Sequence, residues 1–165
     1  MSEPMQRVAL KVNGEHHVVT VPTRKHLADI LREDLGFTGV HVGCEHGVCG
    51  ACTIRIDGAI ARGCLILGGQ SEGAEIETIE YLSSQPGTRD LVEAFVSENA
   101  LQCGFCTPGM VISAAALLAE TADPTREEVR AYLSGNYCRC TGYQAIVDAV
   151  MKTAAGRRAE KGEVA

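Results

Sequence analysis

Eight cysteines fall into two groups of four, and the spacing of the first group points to redox chemistry. This first quartet reads C-x4-C-x2-C with a more distant fourth cysteine, and its members are Cys44, Cys49, Cys52 and Cys64. A loop with this spacing binds a [2Fe-2S] cluster, because four thiolates can then reach two adjacent iron atoms. Three glycines lie among these cysteines, namely Gly43, Gly47 and Gly50. They predict a wrapping loop in which left-handed backbone lets N–H groups approach sulfur.

The second quartet combines a C-x2-C pair with a C-x-C pair, and its members are Cys103, Cys106, Cys138 and Cys140. Helices are predicted to begin directly after Cys106, at Thr107-Pro108, and shortly after Cys140. Helix amino termini present unsatisfied N–H groups and partial positive charge, which favour an anionic cluster. We therefore expect a second [2Fe-2S] cluster between two helices, and the two sites together predict a path for single electrons.

Zinc is the alternative metal for either quartet, since four-thiolate zinc sites are common and C-x2-C is a frequent zinc half-site. The C-x4-C-x2-C run favours iron at the first quartet, because zinc quartets usually come as two short pairs. At the second quartet the spacing alone leaves both metals open, and the company of the first favours iron. His46 is interpreted as an exposed loop residue rather than a ligand, because four thiolates already complete the site. No catalytic acid–base set is found, so no catalytic residue is predicted.

The composition predicts a globular chain whose partners are proteins. Its formal net charge is −6, with no basic excess for binding nucleic acid or acidic lipid. No stretch approaches the roughly 20 apolar residues of a membrane span, and the first ten residues lack the pattern of an export signal. We therefore expect a cytoplasmic protein, whose thiols bind metal or stay reduced rather than form disulfides.

Local patterns divide the chain into two domains and a tail. Residues 1–80 read as a mixed α/β domain that holds the first quartet, residues 81–155 as an all-helical domain that holds the second, and residues 156–165 as a flexible tail. In the first domain we expect a hairpin that turns at Asn13-Gly14. The same domain is predicted to contain a helix capped by Thr23 and, later, a strand that carries Cys64.

Four helices are predicted in the second domain. The third opens with the capping-box pattern Thr125-Arg126-Glu127-Glu128 and the second begins with a proline. Their predicted bounds are 88–99, 108–120, 125–134 and 143–154. Each of them has apolar residues at helical spacing, which predicts a shared core.

Three segments of the chain carry a family resemblance. They are GCEHGVCGACT at 43–53, LQCGFCTPGM at 101–110 and NYCRCTGY at 136–143. Together they resemble the small iron-sulfur subunit of the molybdenum hydroxylases, the group that includes xanthine dehydrogenase, aldehyde oxidoreductase and carbon monoxide dehydrogenase. The likeness covers roughly residues 5–152.

The resemblance implies an α+β fold, with an N-terminal ferredoxin-like β-grasp domain followed by a C-terminal four-helix bundle domain. It also implies a large partner subunit with a molybdenum-pterin cofactor and a medium partner subunit with FAD, in a hetero-oligomer such as a dimer of heterotrimers. The first quartet would hold the cluster nearer FAD and the second the cluster nearer molybdenum. Gln102 and Cys140 would lie against the pterin, with Cys140 still an iron ligand. Apolar contact surface is expected around Phe105, Met110 and Tyr143.

These observations predict an oxidoreductase subunit that relays single electrons between the molybdenum-pterin centre and FAD, while substrate chemistry takes place in a partner chain. Two other functions stay open. The chain could be a free-standing two-cluster ferredoxin shuttle, or a structural protein with two four-thiolate zinc sites. Metal content separates the zinc protein from the others, and copurifying chains separate the subunit from the shuttle.

Overall fold

The computed structural model describes residues 3–163. Its fold is α+β, as predicted, with a mixed five-stranded sheet followed by helices. The strands are β1 (Met5–Val12), β2 (Glu15–Pro22), β3 (Thr53–Ile56), β4 (Ala59–Arg62) and β5 (Glu75–Glu77). The helices are α1 (Leu27–Asp29, continued by a π-helical turn over Ile30–Asp34), α2 (Ile79–Leu82), α3 (Arg89–Ser97), α4 (Thr107–Glu120), α5 (Arg126–Tyr132) and α6 (Gln144–Glu163).

The sheet has the strand order β2-β1-β5-β3-β4. The predicted hairpin of β1 and β2 is confirmed, and Asn13 and Gly14 turn the chain with φ angles of 53° and 86°. β1 and β5 are parallel, whereas the other neighbouring pairs are antiparallel. One face of the sheet packs against α1 to form the first hydrophobic core, which includes Leu10, Ile54 and Ile76. The hairpin of β3 and β4 connects Cys52 to the turn that carries Cys64, so the sheet positions these two thiols.

The helix predicted to be capped by Thr23 begins four residues later, at Leu27, with His26 as its N-cap. His26 Nδ1 accepts a hydrogen bond from the Asp29 N–H at 3.2 Å. The shift occurs because Leu27 N donates to Ile66 O at 2.7 Å, which ties the start of the helix to the segment after β4.

Cys64 lies in a 3-10 turn over Gly63–Leu65 rather than in the predicted strand. β4 ends at Arg62, and the N–H of Gly63 then donates to the Cys52 carbonyl at 3.1 Å. This turn places Cys64 beside Cys52 instead of extending the sheet.

A second hydrophobic core lies among α3, α4, α5 and α6 and includes Phe95, Met110, Leu133 and Ile146. The capping box that opens α5 is confirmed, with the Thr125 hydroxyl accepting from the Glu128 N–H at 3.2 Å. No helix within residues 3–163 is both long enough and apolar enough to cross a membrane.

The flexible tail predicted from residue 156 is wrong over residues 156–163, where α6 continues. Arg157 donates to both carboxylate oxygens of Asp90, at 2.6 and 2.8 Å, and holds the last turns of α6 against α3. Residues 164–165 of the predicted tail lie outside the described residues.

Candidate iron-sulfur centres

The first quartet is gathered by the loop between α1 and β3 and by the turn after β4. Cys44 and Cys49 are half-buried, whereas Cys52 and Cys64 are buried. The thiols come in two pairs, because Cys44 lies within hydrogen-bonding reach of Cys49 and Cys52 within reach of Cys64. The structure therefore brings together all members of the predicted quartet.

The backbone of this loop is held in left-handed conformations. Gly47 and Gly50 have φ angles of 81° and 72°, as predicted, and Glu45 adopts 58° despite its side chain. Gly43 differs from the prediction, because its φ is not left-handed. Its role is spatial, since a Cβ there would lie 3.2 Å from the sulfur of Cys49. His46 is exposed, as predicted.

Backbone N–H groups point at the first quartet. The Cys49 N–H donates to Cys44 Sγ at 3.4 Å. Hydrogen bonds from the backbone N–H groups of Cys49 and His46 lower the pKa of the Cys44 thiol to about 6. Burial, reinforced by neighbouring Cys64, raises the pKa of Cys52 to about 12. An anionic group bound by the first quartet would thus have backbone N–H dipoles near Cys44 and low-dielectric surroundings near Cys52.

The second quartet joins the loop before α4 to the loop before α6. Its thiols also form two pairs, with 3.5 Å between the sulfur atoms of Cys103 and Cys140 and with Cys106 within hydrogen-bonding reach of Cys138. Cys103 and Cys140 are exposed, whereas Cys106 and Cys138 are half-buried. One pair of each predicted site is therefore deeper than the other.

Of the two helices predicted to begin beside the second quartet, only α4 begins directly after one of its cysteines. Cys106 is the N-cap of α4, whose first turn contains a proline. α6 begins only at Gln144, so a loop residue takes the place of its terminus. That residue is Thr141, whose N–H and hydroxyl lie 3.5 and 3.1 Å from Cys138 Sγ. The Tyr143 hydroxyl accepts from the Cys138 N–H at 2.8 Å and fixes the loop.

The thiols of the second quartet also differ in acidity. Burial, and next the Cys138 side chain, raises the pKa of Cys106 to about 12. The Phe105 N–H, and next the Cys140 thiol, lowers the pKa of Cys103. Burial alone would raise the pKa of Cys138, but hydrogen bonds from Thr141 outweigh burial and lower it.

Direct contacts join the loops of the two quartets. The Tyr137 N–H donates to the Cys49 carbonyl at 2.8 Å, one residue before Cys138. The rings of His41 and Phe105 are stacked, with 4.6 Å between their centroids. Sequence patterns assigned no role to His41 or to Asn136, the neighbour of Tyr137, because each acts through partners that are distant along the chain. No local pattern could have revealed these contacts.

The outer side of the second quartet is an exposed edge. Gln102, Cys103 and Cys140 are exposed there, and the side chains of Phe105 and Tyr137 are 47% and 55% exposed. The apolar surface predicted around Phe105, Met110 and Tyr143 is wrong for Met110, which is completely buried in the second core. Met110 lies on the inner face of α4, where it packs against the other helices and is not available to a partner.

The donor set fits a [2Fe-2S] cluster at each quartet. Each site offers four soft thiol ligands arranged as two pairs, and two iron atoms need such a set. N–H donors already approach Cys44 and Cys138, and the buried hydroxyl of Thr107 has no hydrogen-bond partner among the described residues. Within residues 3–163 no group of three histidine, cysteine or acidic side chains is arranged to hold a single metal ion.

Comparison with known proteins identifies the type of domain around each quartet. Residues 10–81 match the model of a 2Fe-2S iron-sulfur cluster binding domain, and residues 78–151 match that of a [2Fe-2S] binding domain. The chain is 53% identical over 150 residues to the nicotine 6-hydroxylase small subunit of Paenarthrobacter nicotinovorans, covering 90% of each protein. It is 46% identical over 161 residues to the caffeine dehydrogenase subunit gamma of Pseudomonas sp. (strain CBB1), covering 94% of this chain and 95% of that relative.

A solved structure gives the same result. A chain in the crystal structure of quinoline 2-oxidoreductase from Pseudomonas putida 86 superposes with a TM-score of 0.87 at 50% identity, covering 96% of this chain and 98% of that one. The high identity extends over nearly the full length and includes both matched domains. The chain therefore belongs to the family of small [2Fe-2S] iron-sulfur subunits of the molybdenum hydroxylases and is an oxidoreductase subunit.

Proposed function

We propose that this chain relays single electrons between a molybdenum-pterin centre in a large subunit and FAD in a medium subunit. The observation that carries the proposal is the direct hydrogen bond from Tyr137 N to Cys49 O at 2.8 Å, which joins one quartet to the other. This contact holds the loops of the two quartets against each other, as electron transfer between two clusters requires. When bound, each [2Fe-2S] cluster accepts and gives up one electron at a time.

The proposed ligands are the eight cysteines. One cluster is held by the pairs Cys44–Cys49 and Cys52–Cys64, and the other by the pairs Cys103–Cys140 and Cys106–Cys138. This pairing supports two iron atoms per site, each with two thiolates, better than one tetrahedral zinc ion. The N–H groups of Cys49 and Thr141 would offset the negative charge of the bound clusters.

The two sites are proposed to face different partners. The exposed edge with Gln102 and Cys140 would lie against the pterin of the large subunit, and the solvent-facing loop around Cys44 would lie towards FAD. The exposed apolar side chains Leu101, Phe105 and Tyr137 support a protein contact at that edge, because large apolar groups gathered at a surface are typical of interfaces.

The domain layout is part of the proposal. The mixed sheet with α1 across it would be a ferredoxin-like β-grasp domain, and α3 to α6 would be a four-helix bundle domain. Separate hydrophobic cores for the two regions support this division. Nicotine, caffeine and quinoline appear in the names of three relatives. Because the large subunit would bind the substrate, the role proposed here is the same for each of them.

Anaerobic purification of the chain together with the proteins that copurify with it tests the proposal. The expected result is about four iron atoms and four acid-labile sulfides per chain, two distinct [2Fe-2S] spin-resonance signals after reduction, and partners that contain molybdenum and FAD. Zinc without labile sulfide would overturn it in favour of a structural protein. Iron and sulfide in a chain that never associates with such partners would overturn it in favour of a ferredoxin shuttle.

A further inference from the structure

A buried amide lies between the two quartets. The side chain of Asn136 is 2% exposed. Its Nδ2 donates to the Gly50 carbonyl at 3.0 Å and to the Thr53 hydroxyl at 3.3 Å, both in the sheet half. Its Oδ1 accepts from the Ser113 hydroxyl at 2.9 Å, in the helical half. One side chain thus joins both halves, and removing it would take from the buried Ser113 hydroxyl the acceptor that the structure gives it.

Arg62 reinforces this connection from the opposite direction. Its guanidinium donates to the Thr53 hydroxyl through Nη1 and to the Gly135 carbonyl through Nη2, the latter at 2.8 Å. The Thr53 hydroxyl donates in turn to the Gly50 carbonyl at 2.6 Å. Asn136 and Arg62 therefore both donate to the Thr53 hydroxyl. Asn136 donates from the helical half to the sheet half, and Arg62 donates from the sheet half to the helical half. We call this network of Asn136, Arg62, Thr53 and Gly50 the interdomain clamp.

Two residues of the clamp lie next to or near cysteines of the two quartets along the chain. Gly50 follows Cys49, and Asn136 stands two residues before Cys138. Between them α4 approaches so closely that a Cβ at Gly109 would overlap the Gly50 carbonyl. A change in the clamp would therefore move the first loop against the residues that carry the second quartet.

We propose that Asn136 is a positioning residue for electron transfer, because the interdomain clamp fixes the position of the first quartet relative to the second. This inference rests on the proposed function, since it matters only when both quartets hold clusters. Electron tunnelling weakens steeply with distance, so a small separation of the halves slows the relay while each site stays intact. Asn136 itself touches no thiol among the hydrogen bonds of the described residues.

The magnetic interaction between the two reduced clusters measures this position, because dipolar coupling falls with the inverse cube of distance. Three variants disturb the clamp: Asn136→Leu removes the amide at similar size, Arg62→Met removes the guanidinium, and Gly109→Ala inserts a methyl group against Gly50. Each is made in the full chain and purified with its partners. Spin-resonance spectra of the fully reduced protein give the line splitting, the relaxation enhancement and the amount of each cluster.

Two control variants match these changes. Ser113→Ala removes the hydrogen bond that Asn136 makes within the helical half but keeps its bonds to the sheet half. Gly156→Ala makes the same substitution as Gly109→Ala inside a helix, at a position where a Cβ has nothing within 4 Å. Both controls are expected to retain the splitting of the unaltered protein.

The proposal is supported if the clamp variants keep both clusters in full amount and the line splitting between the clusters narrows or disappears. It is overturned if clusters are retained and the splitting is unchanged. Should Asn136→Leu fail to hold clusters, Gly109→Ala and Arg62→Met decide by the same criterion. Absence of both signals from the unaltered protein would instead refute the proposed function.

Discussion

Each quartet brings four thiols together, but different parts of the fold support the two sites. The first comes from one continuous stretch, residues 44–64, and its inner pair is buried behind the sheet. The second combines two cysteines at the start of α4 with two cysteines before α6. Its exposed members, Cys103 and Cys140, come one from each segment. A site made from one loop depends on backbone conformation, as the left-handed Glu45, Gly47 and Gly50 demonstrate. A site made from distant segments depends on how helices pack.

The largest expected effect separates the two sites completely. We expect Cys49→Ala to abolish one [2Fe-2S] signal and Cys106→Ala to abolish the other, because each removes a thiolate from a different quartet. Iron content should fall by about half in each variant. Spin resonance of the reduced protein and metal analysis measure the outcome, with Ser134→Ala as a surface control. If either cysteine variant lost both signals, the two sites would not be independent.

A second test compares the tight loop of the first site with the open loop of the second. Gly50 has a φ of 72°, and a Cβ there would lie 2.5 Å from the Gly135 carbonyl. Gly104 has a φ of 80° with nothing within 4 Å. We expect Gly50→Ala to lower the free energy of unfolding by about 3 kcal/mol, through strain and overlap together, and Gly104→Ala by about 1 kcal/mol through strain alone. Denaturant unfolding of the iron-loaded chain measures both, and equal losses would contradict the comparison.

Exposure predicts which site loses iron first. In the isolated chain a chelator should remove iron from the second quartet several-fold faster than from the first, about 1 kcal/mol in activation free energy, because Cys103 and Cys140 are exposed. The decay of each spin-resonance signal reports the two rates. In the assembled complex the difference should shrink, since the proposed large subunit covers this edge. Faster loss from the first quartet would reverse the comparison.

The smallest effect tests whether stability can change in one half alone. Thr125→Ala removes the N-cap of α5, a helix that contributes no cysteine to either quartet, and should lower the free energy of unfolding of the helical half by about 1 kcal/mol. Both cluster signals should stay unchanged, and thermal unfolding measures the loss. The exposed Ser134→Ala serves again as the control, with an expected change within about 0.5 kcal/mol. A diminished first-quartet signal in Thr125→Ala would show that the two halves are coupled more tightly than their separate cores indicate.

Features coded by neighbouring residues could be predicted from the sequence. The turn at Asn13-Gly14, the capping box at Thr125 and the grouping of the cysteines each depend on a few adjacent positions, and the structure contains all three. The presence of a mixed α/β half and a helical half also followed from such local patterns. Strand order did not, because pairing between β1 and β5 is decided by packing across the whole sheet.

Features decided by distant partners could not be predicted. The start of α1 depends on Ile66, which accepts from the Leu27 N–H, and the length of α6 depends on the pair between Arg157 and Asp90. Asn136 lies inside a recognised motif, yet its partner Gly50 is 86 residues away. The proposed ligand roles of the cysteines stay predictions, and the measurements above decide them.

The parallel pairing of β1 with β5 has a consequence for how the protein is made. Its register joins Lys11 to Glu75, so the intervening chain forms one large ring that contains every cysteine of the first quartet. Such a ring closes at a higher entropic cost than a hairpin, and it cannot close before its last strand has left the ribosome. We therefore expect the first quartet to bind iron late in biosynthesis, only after β5 has paired with β1.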